Sequence, residues 1–303
     1  MQLPLIKYPT LGIISLLLLG INIQPVFSNF PPTLILAQNT NSQAATDSLN
    51  QGLQAIQLGK VEEAITAFRQ AIKLDPKSAA AHYNLGLALR QSGKLQPAAD
   101  AFYQATQADS QFALAFANLG GALLEGNNLK LAQDYLNKAL QLNPNLGFAH
   151  YNMGLLREQE KNWSSAIASF QKARTYSQNA PEPAYHLGIC YLQQGKIEQA
   201  KVALNQAIKI NPKYAEAYYN LGSILFNQGQ LNEGLAAFRK SAAANSSYAN
   251  AYYGAGLVFM QLKQYKEAIQ VFQYAHNLYN IQGNVQWVKN SQQLLQQLEN
   301  RKK

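Results

Sequence analysis

The stretch AHYNLGLAL at Ala81–Leu89 returns as AHYNMGLL at Ala149–Leu156 and again as AYYNLGSIL at Ala217–Leu225, with starts 68 residues apart. Sliding the chain against itself halves that period. A shift of 34 residues tiles 45–282 in seven units without an insertion or deletion: 45–78, 79–112, 113–146, 147–180, 181–214, 215–248 and 249–282. With each unit numbered from 1 to 34, position 8 is always glycine: Gly52, Gly86, Gly120, Gly154, Gly188, Gly222 and Gly256. Position 20 is alanine except at Gly234, position 27 is alanine except at Ser241, and position 24 is Phe except at Leu136 and Leu204.

A helix turns once every 3.6 residues, so positions 4, 7, 8, 11 and 14 share one face, and positions 17, 20, 24, 27 and 28 share the matching face of a second helix. Each unit is therefore expected to be a helical hairpin. The missing side chain at position 8 and the small one at position 20 let two helices approach, and the large residue at position 24 fills the space beside them. Gly59, Gly93, Gly195 and Gly229 near position 15 end the first helix, because glycine takes the left-handed conformation of a C-terminal cap without penalty. Asp75-Pro76, Asn143-Pro144 and Asn211-Pro212 end the second helix in alternate units.

This pattern resembles the tetratricopeptide repeat, whose Leu-Gly-Tyr, Ala, Phe, Ala and Pro signature spans 34 residues. The resemblance covers all seven units, although position 4 lacks the consensus Trp and carries Ser48, His82, Phe116, His150, Ala184, Tyr218 and Tyr252. It implies an all-α fold, a right-handed superhelical solenoid of antiparallel helix pairs with the first helices lining a concave groove. Residues 283–303, with Val285, Val288, Leu295 and Leu298 at helical spacing, read as a C-terminal capping helix. Some members of the family hold a partner's terminal carboxylate with Lys at position 5 and Asn at position 9; those columns hold neither residue here.

Composition agrees with a packed helical chain. Of its 303 residues 48% are hydrophobic and 14% charged, and Val and Thr are scarce beside Leu, Ala and Gln. The N-terminal segment stands apart. Lys7 precedes the run LGIISLLLLGINI from Leu11, which is shorter than the roughly 20 residues that span a bilayer, and Pro25, Pro31 and Pro32 follow. Residues 1–37 read as an export signal, cleaved after Ser28 or Ala37 and joined by a 38–44 linker; an uncleaved membrane anchor is the alternative. Export to a periplasmic or equivalent space agrees with the single cysteine, Cys190.

Function is expected where the first helices face away from their partners, at positions 2, 5, 6, 9, 12 and 13. Position 5 is a tyrosine column that includes Tyr151, Tyr185, Tyr219 and Tyr253, and position 6 carries Asn84, Asn118, Asn152 and Asn220, with His186 among the exceptions. Amides can donate to and accept from a ligand's backbone whatever its sequence, so these columns are expected to contact an extended peptide. Packing between neighbouring repeats is the competing use of the same residues. If the asparagines are ligand contacts, alanine at Asn84, Asn118, Asn152 and Asn220 weakens binding and leaves the fold intact.

The formal charge of +9 does not single out nucleic acid. The groove columns carry Glu125, Glu158, Glu182 and Glu216 against Arg90, and phosphate binding needs a concentrated cationic track. The balance points to a neutral or basic protein segment. No catalytic constellation, cofactor motif or metal-ligand spacing is present, and one cysteine excludes a thiolate zinc site. The expectation is thus a non-enzymatic scaffold that binds a partner polypeptide in its groove. The alternative is a factor that self-associates or bridges envelope subunits through its ends, using Gly254-Ala255-Gly256 and the last helix.

Overall fold

The computed structural model describes residues 43–300, so the export segment and the Arg301-Lys302-Lys303 terminus lie outside the described residues. Fifteen helices and no strand occur among them. In chain order they are α1 (Gln43–Gln57), α2 (Val61–Leu74), α3 (Ala79–Gln91), α4 (Leu95–Ala108), α5 (Ala113–Glu125), α6 (Leu129–Leu142), α7 (Gly147–Gln159), α8 (Trp163–Tyr176), α9 (Glu182–Gln193), α10 (Ile197–Ile210), α11 (Ala215–Asn227), α12 (Leu231–Ala244), α13 (Ala249–Gln261), α14 (Tyr265–Ile281) and α15 (Val285–Asn300). They fall into two compact units, 43–195 and 196–300.

In the first unit α1 packs on α2, α3 on α4, α5 on α6 and α7 on α8, and each second helix also meets the first helix of the next pair. First helices touch one another as well, α1 with α3 and α5 with α7. The second unit repeats the plan with α11 on α12 and α13 on α14, and α15 closes it against α14. Each unit is an all-α stack of helix pairs, as the 34-residue period implies.

Position 8 glycines make the hairpins possible. A Cβ on Gly154 would stand 2.5 Å from the Phe170 ring, one on Gly86 2.6 Å from Phe102, and one on Gly222 2.9 Å from Phe238. The rings at position 24 thus lie directly against bare backbone, and Phe68, Phe102, Phe170 and Phe272 are fully buried.

The turns are as regular. Position 15 takes a positive φ not only at the four glycines but also at Asn127 (60°), Lys161 (58°) and Lys263 (61°). At position 31 an Asx turn follows the second helix: the side-chain oxygen of Asn143 accepts from Asn145 N at 3.0 Å and that of Asp75 from Lys77 N at 3.2 Å. Two of the prolines that alternate with the 68-residue period, Pro76 and Pro144, have partners in the next unit. His82 Nε2 donates to Pro76 O at 3.0 Å and His150 Nε2 to Pro144 O at 2.8 Å, so a histidine at position 4 locks down the preceding loop.

The cap differs in detail from its sequence reading. The buried face of α15 is Trp287, Ser291, Leu295 and Leu298, while Val285 is 80% exposed. Trp287 lies 5.6 Å from Tyr279 and 5.0 Å from Tyr253, ring centre to ring centre. Gly254 and Gly256 are not open to end-to-end stacking, because a Cβ on either would lie 2.6 Å from Phe238 or Phe272 within the unit itself.

Candidate functional site

The structure shows what the side chains at positions 5, 6, 9, 12 and 13 of the first helices meet, and position 5 turns back to its own hairpin: the Tyr83 ring lies 5.8 Å from Phe102 and the Tyr151 ring 5.8 Å from Phe170. In the first unit, position 5 of one repeat faces position 6 of the next, 35 residues on. Asn118 Nδ2 donates to Tyr83 Oη at 3.3 Å and to Leu114 O at 2.9 Å. The Tyr151 hydroxyl and His186 Nε2 are 3.3 Å apart. Where position 5 is Ala117, Asn152 Nδ2 reaches the backbone oxygen instead, at 3.5 Å, and Gly121 leaves room for its carboxamide. Positions 12 and 13 do the same: Arg90 pairs with Glu125, with Nε donating to Oε1 at 3.1 Å. His186 Nδ1 also meets Glu158 Oε2, at 2.8 Å.

These contacts correct the expectation for the asparagine and tyrosine columns. Asn84, Asn118, Tyr151 and Asn152 are buried, and the last three, with His186, join one repeat to its neighbour. Tyr185, half-buried, stands edge-on to His186 at 5.2 Å. In the second unit Asn220 bonds back to Glu216 O at 2.9 Å, and Tyr219 lies buried between Phe238 and Tyr248. Tyr253 sits edge-on to Phe272 and Trp287. The reason is geometric: the position 5 rings reach the position 24 ring of their own hairpin, and stacking brings successive first helices side by side, so both columns are spent on packing.

The electrostatics match a sealed seam. Burial raises the Tyr83, Tyr151 and Tyr219 hydroxyls well above the usual phenol range and pushes Tyr253 up to about 12, so all four stay neutral. Burial lowers Arg90 and raises Glu125, and the attraction between them opposes both shifts. Of the groove carboxylates, Glu125 is held by Arg90 and Glu158 meets His186 Nδ1, so these two already have partners within the array. Burial also raises the Cys190 thiol, leaving it a small hydrophobe without thiolate reactivity. Among the described residues no group of three His, Cys, Asp or Glu side chains is placed to hold a metal ion.

What stays accessible is a different set. Leu87 and Leu155 at position 9 and Leu192 at position 12 are half-buried, and Gln57, Gln91, Gln159 and Gln193 at position 13 are exposed along the rim. Gln159 Nε2 donates to Asn127 Oδ1 at 2.8 Å, which fixes one rim amide against the adjacent loop. The aliphatic column was readable in the sequence by the same count that found the asparagines.

Tetratricopeptide repeat profiles match residues 49–113 and 225–277, and a second matches 113–146; a TPR repeat profile matches 190–229. No curated protein matches the chain. Among solved structures, a tetratricopeptide repeat protein from Parabacteroides merdae is 21% identical, with 85% of this chain and 100% of that one aligned at a TM-score of 0.62. The APC/C hetero-tetramer Cut9-Hcn1 is 16% identical at a TM-score of 0.65, over 82% of this chain and 46% of that one, so the match spans just under half of its length. YrrB, described as a TPR protein with an unusual peptide-binding site, is 24% identical at a TM-score of 0.50, over 64% of this chain and 99% of that one. Likeness at this level speaks for the fold. With the profile matches and the hairpin geometry, it establishes that the chain belongs to the tetratricopeptide repeat family.

Proposed function

We propose that the protein is a non-enzymatic scaffold of an exported compartment that holds an extended segment of a partner protein along the inner face of its first helices. The observation that carries this reading is the strip of half-buried aliphatic side chains, Leu87, Leu155 and Leu192, beside the exposed amides Gln91, Gln159 and Gln193. Leu87 and Leu155 also pack against the core, yet all three leucines keep part of their side chains exposed and offer apolar contact next to groups that can pair with a peptide backbone. Stacking sets this surface in advance, so little ordering entropy opposes association. The peptide-binding site named for YrrB is consistent with such a use. A neutral or basic segment suits the strip, because the only cation of the columns, Arg90, is taken up by Glu125. Export rests on the apolar run from Leu11 to Ile23 and its flanking prolines.

A photo-crosslinking residue placed at Gln91 or Gln159, compared with one at the exposed outer position Thr175, tests the site in the native envelope. The expected result is the same crosslinked partner from both inner positions and none from Thr175. A partner captured from Thr175 alone would overturn the proposal.

A further inference from the structure

The outer side of the first unit holds a second concavity that the inner-face reading does not use. Between α2 and α4, above α3, lies a cleft of about 320 Å³. Its floor is aliphatic, built from Ile72, Leu85 and Leu89, with Ala101 on one side. Two features keep it open. Position 23 is Ala101 here, whereas the next repeat carries Tyr135, whose ring packs 6.2 Å from Phe116. Position 4 is His82, and its bond to Pro76 O draws the ring toward the preceding loop.

Charge is arranged at the walls. Arg69, from α2, makes no ion pair among the described residues and lines the cleft. Asp100, from α4, lines it too and accepts from Gln96 Nε2 at 3.0 Å. The cleft therefore offers a free guanidinium, an apolar floor and a carboxylate that accepts hydrogen bonds. The cleft is shallow and open to solvent along its mouth.

We propose that this cleft binds a small hydroxy-aromatic carboxylate. The ring lies on Leu85 and Leu89, the acid pairs with Arg69, and the hydroxyl donates to Asp100. A guanidinium is the side chain best matched to a carboxylate, and a carboxylate acceptor selects a ligand that carries a donor. The site is independent of the inner face and stands or falls apart from it.

Titration of the full chain with 4-hydroxyphenylacetate, followed by calorimetry and ligand-observed NMR, is the test. Saturable binding is expected in the wild type. Arg69→Gln, an exposed change that leaves the core alone, should weaken it about tenfold or more, in line with the loss of a charge-assisted bond. Asp100→Asn should weaken 4-hydroxyphenylacetate and leave phenylacetate unchanged, and Ala101→Phe should abolish binding by filling the cleft. No saturable binding in the wild type, or binding insensitive to Arg69→Gln, would overturn the assignment. If Ala101→Phe unfolds, the Arg69 and Asp100 variants decide alone.

Discussion

At the scale of single residues, the turn after each first helix shows one backbone demand answered in two ways. Position 15 needs a left-handed conformation in every described repeat; Gly59, Gly93, Gly195 and Gly229 adopt it without cost, and Asn127, Lys161 and Lys263 adopt it against steric resistance. The glycines were visible as helix stops in the sequence. That a lysine would follow the same path was not, because neighbouring helices rather than local preference impose it. Lys161→Gly is expected to raise the unfolding free energy by about 1 kcal/mol. Gly154→Ala should lower it by about 1–3 kcal/mol, since the added methyl would stand 2.5 Å from the buried Phe170 ring. Urea melts of the two variants measured together separate backbone strain from overpacking; the same sign for both would contradict this account.

Between elements, the seams decide how much of the inner wall a guest can reach. Counting along a helix could not divide the columns between neighbour and ligand, since that division depends on how closely α3, α5, α7 and α9 approach. The pairs separated by 35 residues, such as Tyr83 with Asn118, became visible only in the packed array. The quadruple Asn→Ala change conceived as a binding test would therefore also cut seams, and its effect on affinity would not be separable from its effect on stability. The Arg90–Glu125 pair is the cleanest probe of a seam. Arg90→Met alone strands a largely buried carboxylate, at a cost of about 3 kcal/mol, and Arg90→Met with Glu125→Leu should recover most of that. A double-mutant cycle by chemical denaturation reads the difference; a double variant as unstable as the single one would show that the pair is not the cause.

On the scale of the whole molecule, a repeat array needs an end that does not offer itself to another copy. Helix α15 supplies it in the second unit by covering Tyr253, Tyr279 and Phe272 with Trp287, Leu295 and Leu298 and turning Gln286, Lys289, Gln293 and Gln297 outward. A chain ending at Gly283 should melt at lower temperature and show concentration-dependent association in sedimentation velocity, with the full chain staying at one mass. Unchanged melting would mean that α15 is an appendage rather than a cap.

The 34-residue period, with its invariant glycine and its alternating ring and alanine, determined by itself that the chain forms helix pairs and where each pair turns, because those facts depend on contacts within one hairpin. Only the tertiary structure decided which outward side chains are consumed by stacking, that Lys161 and Lys263 bear a left-handed turn, and that a cleft opens beside Ala101. Those follow from the separation of one hairpin and the next, a distance set by every interlocking side chain at once and written in none of them singly.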